Sequence, residues 1–206
     1  MNTIPARLDH LVLATPELAA TVDDFARRTG VVPAPGGVHV GLGTRNHLVG
    51  LGGGAYLEIV GPDPEQSAHR GARPFEVDRL PRSTTLTWAI APPDIDLAVT
   101  AARARGYDPG DVQPMSRRRP DGALLEWRLT DRSSGLVPFL IDWGSSPHPT
   151  ASGLPVTPLV SLSATAPDPS AVRSALAALD VELPVSEGPL GMSFTLDTPN
   201  GTVTFG

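Results

Sequence analysis

Residues 11–30 read LVLATPELAATVDDFARRTG, residues 88–107 read WAIAPPDIDLAVTAARARGY, and residues 162–181 read LSATAPDPSAVRSALAALDV. All three follow one order: an apolar strand-like run, a turn marked by proline, then a helix of period near 3.6. In the first, Leu18, Val22 and Phe25 share a helical face. Thr15 is expected to cap that helix, Pro16 suits its first position, and Gly30 is expected to close it. In the second, Asp94 caps, Ile95, Ala98, Val99 and Ala102 form the buried stripe, and Gly106 ends it. In the third, Asp168 and Pro169 open a helix whose stripe is Val172, Leu176 and Leu179.

Taking Leu13, Ile90 and Thr165 as equivalent gives separations of 77 and 75 residues, too long for solenoid repeats and suited to duplicated modules. Strand-like runs follow each of the first two helices. They are 37–43, 45–51 and 55–60 in the first module, where Gly52, Gly53 and Gly54 make a hairpin turn, and 111–115, 124–130 and 137–143 in the second. Turns are expected at Asp121-Gly122 and at Ser133-Ser134-Gly135. The order βαβββ thus occurs twice, over 1–80 and 81–150. Residues 151–206 form a shorter β-α-β-β unit, with strands 159–165, 192–196 and 203–205 and a turn at Asn200-Gly201, read as a truncated third module packed on the same fold. The fold class is α+β: two modules forming a curled mixed sheet cup, helices outside.

Composition removes several chemistries. Cysteine is absent, which excludes disulfides, thiolate nucleophiles, iron–sulfur clusters and Cys-ligated zinc. All 16 basic residues are arginine, so Schiff-base lysines and the P-loop lysine are excluded too. A formal charge of −6 argues against a nucleic-acid partner, and the run Arg117, Arg118, Arg119 reads as a solvated edge. No apolar run reaches membrane-spanning length and the first residues lack the pattern of a signal peptide, so a cytoplasmic protein without membrane contact is expected. No G-x-S-x-G elbow is present, and GLGGG lies between two strands, whereas a phosphate-cradling loop opens a helix.

The strings LDHLVLAT (8–15), HVGLGTRNHLVGLGGGAYLEIVGPDP (39–64), RRRPDGALLEWRLT (117–130) and LVPFLIDWGSSPHP (136–149), in this order, resemble the vicinal-oxygen-chelate superfamily. Within it they look like the glyoxalase-like domain family. SFTLDTPNGTVTF (193–205) extends the likeness more loosely. The resemblance implies a cup whose inner wall holds one divalent metal ion (iron, manganese, nickel or zinc), with a His on a module's first strand and a Glu on its fourth. Those positions become His10 and Glu58, as metal ligands or as a catalytic acid–base pair. Alignment within the chain places Thr87 opposite His10 and Ile141 opposite Glu58, and neither is a strong ligand, so a third ligand would come from elsewhere: His39 or His148, with His47 a further candidate from the first module and Asp142 only if the register slips by one. The resemblance implies a small oxygenated ligand and lyase, isomerase or dioxygenase chemistry. The alternative is a non-catalytic protein that sequesters a small molecule without metal. A monomer or a homodimer is expected.

His10 on an apolar strand also fits a structural histidine, but Glu58 inside AYLEIVG needs a partner, because an unpaired buried charge is costly. Alternation places Asn46 and His47 on opposite faces. The substrate-binding set is read as Thr44, Asn46, Arg128 and Trp143, with His47 turned outward and His69 in an exposed loop. Arg128 belongs to this set only if it points inward, where it would hold a carboxylate or phosphate bidentately; otherwise it is a surface residue.

Overall fold

The chain begins with strand β1 (Leu8–Ala14), helix α1 (Leu18–Thr29) and strands β2 (Ala34–His39), β3 (Thr44–Gly52) and β4 (Ala55–Pro62). The same order returns as β5 (Thr84–Ile90), α2 (Ile95–Ala104), β6 (Gln113–Arg118), β7 (Leu124–Leu129) and β8 (Phe139–Asp142). A third passage supplies β9 (Leu159–Ala166), α3 (Pro169–Ala178), β10 (Val185–Glu187), β11 (Gly191–Thr198) and β12 (Gly201–Phe205). This computed structural model describes residues 4–118, 122, 124–131 and 135–206. The turns expected at Asp121-Gly122 and Ser133-Ser134-Gly135 fall partly outside the described residues, as does Arg119.

The doubled α+β architecture is present. In each module the first strand pairs in parallel with the last, β1 with β4 and β5 with β8, and the strands between run antiparallel. The two half-sheets meet at β1–β5, where Leu8 faces Ile90, and at β2–β6, where Val38 faces Arg118. These two seams close the expected cup into an eight-stranded barrel, in the order β1-β4-β3-β2-β6-β7-β8-β5. The C-terminal unit forms its own sheet, in the order β10-β9-β11-β12. It contains the expected strand, helix and hairpin together with the short β10, which pairs in parallel with β9.

Period-two alternation divides the core into two layers. Val12, Ala14, Val60, Ala89, Phe139 and Ile141 fill the barrel interior. Leu11, Leu13, Leu57, Ile59, Trp88 and Ile90 point outward, into a layer shared with the helices and the second sheet. In that layer Phe205 stacks between Phe25 of α1 and Phe194 of β11, with ring centroids 5.1 and 5.2 Å away. Backbone bonds from Gly50 to Pro155 and Thr157 tie the barrel wall to the C-terminal segment at 2.8 and 2.9 Å.

The helix ends follow local chemistry with one difference. Asp94 and Asp168 accept the backbone N–H of Leu97 and Ser170 at 2.9 Å each, as N-caps do. Gly30 closes α1 at φ 75°, in the left-handed region. The cap expected at Thr15 sits too early, because α1 begins at Leu18. Thr15 still belongs to the sheet, donating its backbone N–H to Val60, and its hydroxyl accepts from the Glu17 N–H at 3.1 Å; Pro16 therefore lies in the turn before the helix.

Candidate functional site

His10 and Glu58 arrive on one wall through strand register. In the parallel β1–β4 pair His10 lies beside Tyr56 and Val12 beside Glu58. With Leu11 and Leu57 facing outward, His10, Tyr56 and Glu58 face the barrel interior. They line a cavity of about 50 Å³ with His39, Asn46 and Trp143. At about 10–15 Å³ for each water, that volume takes roughly three to five waters, enough for a compact head group. Phe75 also lines it, on a backbone held at φ 60°, a left-handed conformation that costs a bulky residue about 1–3 kcal/mol.

Around His10 the sequence builds an aromatic sleeve. Its imidazole stacks on Tyr56, with centroids 4.8 Å apart, and meets the edge of Phe139 at 5.4 Å. Nδ1 lies 2.6 Å from Asp9 Oδ1. Simple alternation would send Asp9 to the opposite face of β1. A register shift between Leu8 and His10 in the pairing with β5 breaks that alternation and brings both side chains into contact.

Asp9 is 3 % exposed and is satisfied entirely by side chains from distant segments and from its neighbour. Trp143 Nε1–H donates to Oδ2 at 3.0 Å, and His148 Nε2 stands 3.2 Å from the same oxygen. Burial by itself would raise this carboxyl. The hydrogen bonds from His10 and His148 outweigh it and hold Asp9 well below the ordinary aspartate range, so it is ionised. Sequence reasoning missed Asp9. The signal was the one used for Glu58, a charge inside an apolar strand that must find partners.

On the β2–β3 side, Asn46 Nδ2 donates to Glu58 Oε1 at 2.5 Å, and His39 Nε2 is 3.7 Å from that oxygen. His39 Nδ1 is 2.9 Å from Thr44 Oγ1, which places Thr44 behind His39. The absence of a side chain at Gly36 makes room for Asn46: a Cβ there would come within 2.2 Å of Asn46 Oδ1.

Other expected positions are placed elsewhere. Arg128 lies on the outer face, where it binds Asp142 at 2.7 Å and Asp96 of α2 at 2.9 Å. Its neighbour Trp127 takes the inward place, tilted against Trp143 with centroids 5.4 Å apart. Thr87 is buried opposite Val12, and Ile141 is part of the apolar wall. His47 faces a surface hollow of about 730 Å³ near the start of α1. Most charges at that hollow are paired nearby, Arg45 with Asp63 and Glu65 and Arg73 with Asp78. The smaller barrel cavity is the one into which an imidazole and a carboxylate converge.

Among the described residues the donor set does not assemble a divalent metal centre. His148 has both ring nitrogens occupied, Nδ1 by Thr150 at 2.7 Å and Nε2 by Asp9. Asp9 is taken by three donors and Glu58 by Asn46. Among the described residues no three His, Asp or Glu side chains are grouped as a metal ion requires.

Comparison with known proteins agrees with this architecture. A hypothetical protein from Staphylococcus aureus superposes with a TM-score of 0.66 at 13 % identity, covering 98 % of this chain and 99 % of its own, so the C-terminal sheet is part of the shared fold. Methylmalonyl-CoA epimerase from Streptomyces coelicolor matches at a TM-score of 0.45 and 19 % identity, over 68 % of this chain and 96 % of its own. The epimerase from Mycobacterium tuberculosis gives 0.43 and 16 %, over 73 % and 95 %. No curated protein sequence matches. The sequence profile of the glyoxalase-like domain matches residues 8–179, most of the chain. Together with the twofold βαβββ barrel, that match makes the chain a member of the glyoxalase-like domain family, within the vicinal-oxygen-chelate superfamily.

Proposed function

We propose that the barrel cavity binds a small oxygenated molecule and that His10 and Glu58 act on it as a proton-transfer pair, in isomerase or lyase chemistry. The observation that carries this reading is the convergence of His10 and Glu58, from neighbouring parallel strands, on one cavity wall. A proton on carbon beside a carbonyl passes to the base, and the electron pair moves onto the carbonyl oxygen. Return of the proton at the same or the adjacent carbon completes an isomerisation. Asn46, by donating to Glu58, orients that carboxylate in the cavity wall.

A divalent metal of the kind implied by the resemblance would add Lewis-acid polarisation of adjacent oxygens. The donors around this cavity do not assemble such a centre among the described residues, so no step is assigned to it.

The test is deuterium exchange in D2O with a panel of α-hydroxyketones and 2-hydroxy acids, read by NMR, alongside quenching of tryptophan emission, since Trp127 and Trp143 line the cavity. The expected result is exchange that falls about 10²–10⁴-fold in both His10→Ala and Glu58→Ala. Quenching without exchange favours the second reading, sequestration without catalysis, which the apolar wall of Leu129, Phe139 and Ile141 supports. Near-stoichiometric metal in tag-free protein, lost in both variants, would overturn the metal-free form of the proposal.

A further inference from the structure

Three donors converge on one buried carboxylate beside the cavity, and they constrain one another's protons. His148 Nε2 stands 3.2 Å from Asp9 Oδ2, a carboxylate oxygen that can only accept, so Nε2 carries the proton; Nδ1 is left to Thr150, whose backbone N–H donates to it at 3.3 Å and whose hydroxyl lies 2.7 Å away. His148 Nε2–H therefore donates to Asp9 Oδ2, next to the indole N–H of Trp143. The remaining oxygen, Oδ1, faces His10 Nδ1. An ionised carboxylate only accepts, so the 2.6 Å contact requires the proton to sit on His10 Nδ1. Nε2 makes no hydrogen bond to any described residue, and His10 lines the cavity.

We infer that Asp9 is the positioning residue of this site: anchored by Trp143 and His148, it holds His10 in the tautomer protonated at Nδ1 and leaves the Nε2 lone pair to the cavity. The anchors come from the segment after β8, which also forms the short 3-10 turn Pro149–Ser152 capped by His148. That segment thereby completes the site instead of merely linking the barrel to the second sheet. Trp143 meets His148 edge-on at 5.5 Å and Tyr56 does the same at 5.5 Å, so aromatic packing holds the anchor in place as well as its hydrogen bonds. What the Nε2 lone pair acts on rests on the cavity reading above; its availability does not.

The experiment is nitrogen NMR on ligand-free, isotope-labelled full-length protein, so its outcome is separate from any ligand assay. Neutral His10 is expected to show a pyrrole-type Nδ1 and a pyridine-type Nε2, with a tautomer ratio of about tenfold or more, as a hydrogen bond to a charged group gives. In Asp9→Asn the carboxamide can donate in place of accepting, and the Nδ1-protonated majority is expected to be lost. Trp143→Phe, which removes one anchor and keeps the carboxylate, guards against a misfolded Asp9 variant. It is expected to raise solvent exchange of the His10 Nδ1 proton by about tenfold. A wild-type His10 protonated at Nε2, or Nδ1 proton exchange unchanged in Trp143→Phe, would overturn the inference.

Discussion

Trp143 donates its indole N–H to Asp9 at 3.0 Å, joining the first strand of the barrel to the segment after its last strand across 134 residues of chain. One buried carboxylate thus couples module one to module two at the cavity. Losing a hydrogen bond to a charged group costs about 1.5–3 kcal/mol, and stranding buried donors by deleting the charge costs about 3–5 kcal/mol. Trp143→Phe is expected to fall in the first range and Asp9→Ala in the second. In a double-mutant cycle followed by urea unfolding the two should be non-additive by about 0.5–3 kcal/mol. Additive losses would show that the contact carries no coupling.

Asp9 also sets an acid limb. Its native pKa is lowered despite burial, because the bonds from His10 and His148 outweigh the desolvation. The stability it contributes is therefore fully present above the ordinary aspartate value of about 3.9 and is lost as pH falls below it. Thermal midpoints measured from pH 6 down to pH 3 are expected to fall less steeply in Asp9→Asn than in wild type.

Gly36 is expected to tolerate no side chain. Its ideal Cβ would lie 2.2 Å from Asn46 Oδ1 and 2.8 Å from Leu48 Cγ. Gly36→Ala should cost about 1–3 kcal/mol as overpacking and push Asn46 off Glu58. Unfolding measurements give the first effect. An unchanged stability would mean that β2 and β3 yield at this point.

His47 points the pH dependence the other way from a stabilising histidine. Burial, with a further contribution from Arg45, lowers its pKa, so the native state disfavours the protonated ring. Its cost is absent above the unfolded value near 6.5 and grows as pH falls below it. His47→Gln should reduce the loss of stability between pH 7 and pH 5, read as the shift in urea midpoint between the two.

Phe205 stacks between Phe25 and Phe194 and seals the second sheet against α1. Phe205→Ala should cost about 3–5 kcal/mol, near 10 °C in melting temperature for a chain of this length. A loss confined to a separate early transition would show that the second sheet melts apart from the barrel.

Much of this molecule is written locally. The strand, turn and helix order repeats because caps, prolines and a 3.6-residue apolar period act within one turn of chain. The same period-two logic that buries Leu11 and Leu57 turns His10 and Glu58 toward one interior. Barrel closure lay beyond it, since among the described residues the β2–β6 seam rests on a single pair, Val38 with Arg118. So did the three-residue β10, whose pairing with β9 is a parallel contact made after an intervening helix. The role of Arg128 was decided by Asp96 and Asp142, 32 and 14 residues away, which hold it outside. Asp9 shows the division most plainly. Its sequence position dictates a buried charge in need of partners, but a bulge turns it toward His10, and the donors that satisfy it come from segments that only the closed barrel brings together.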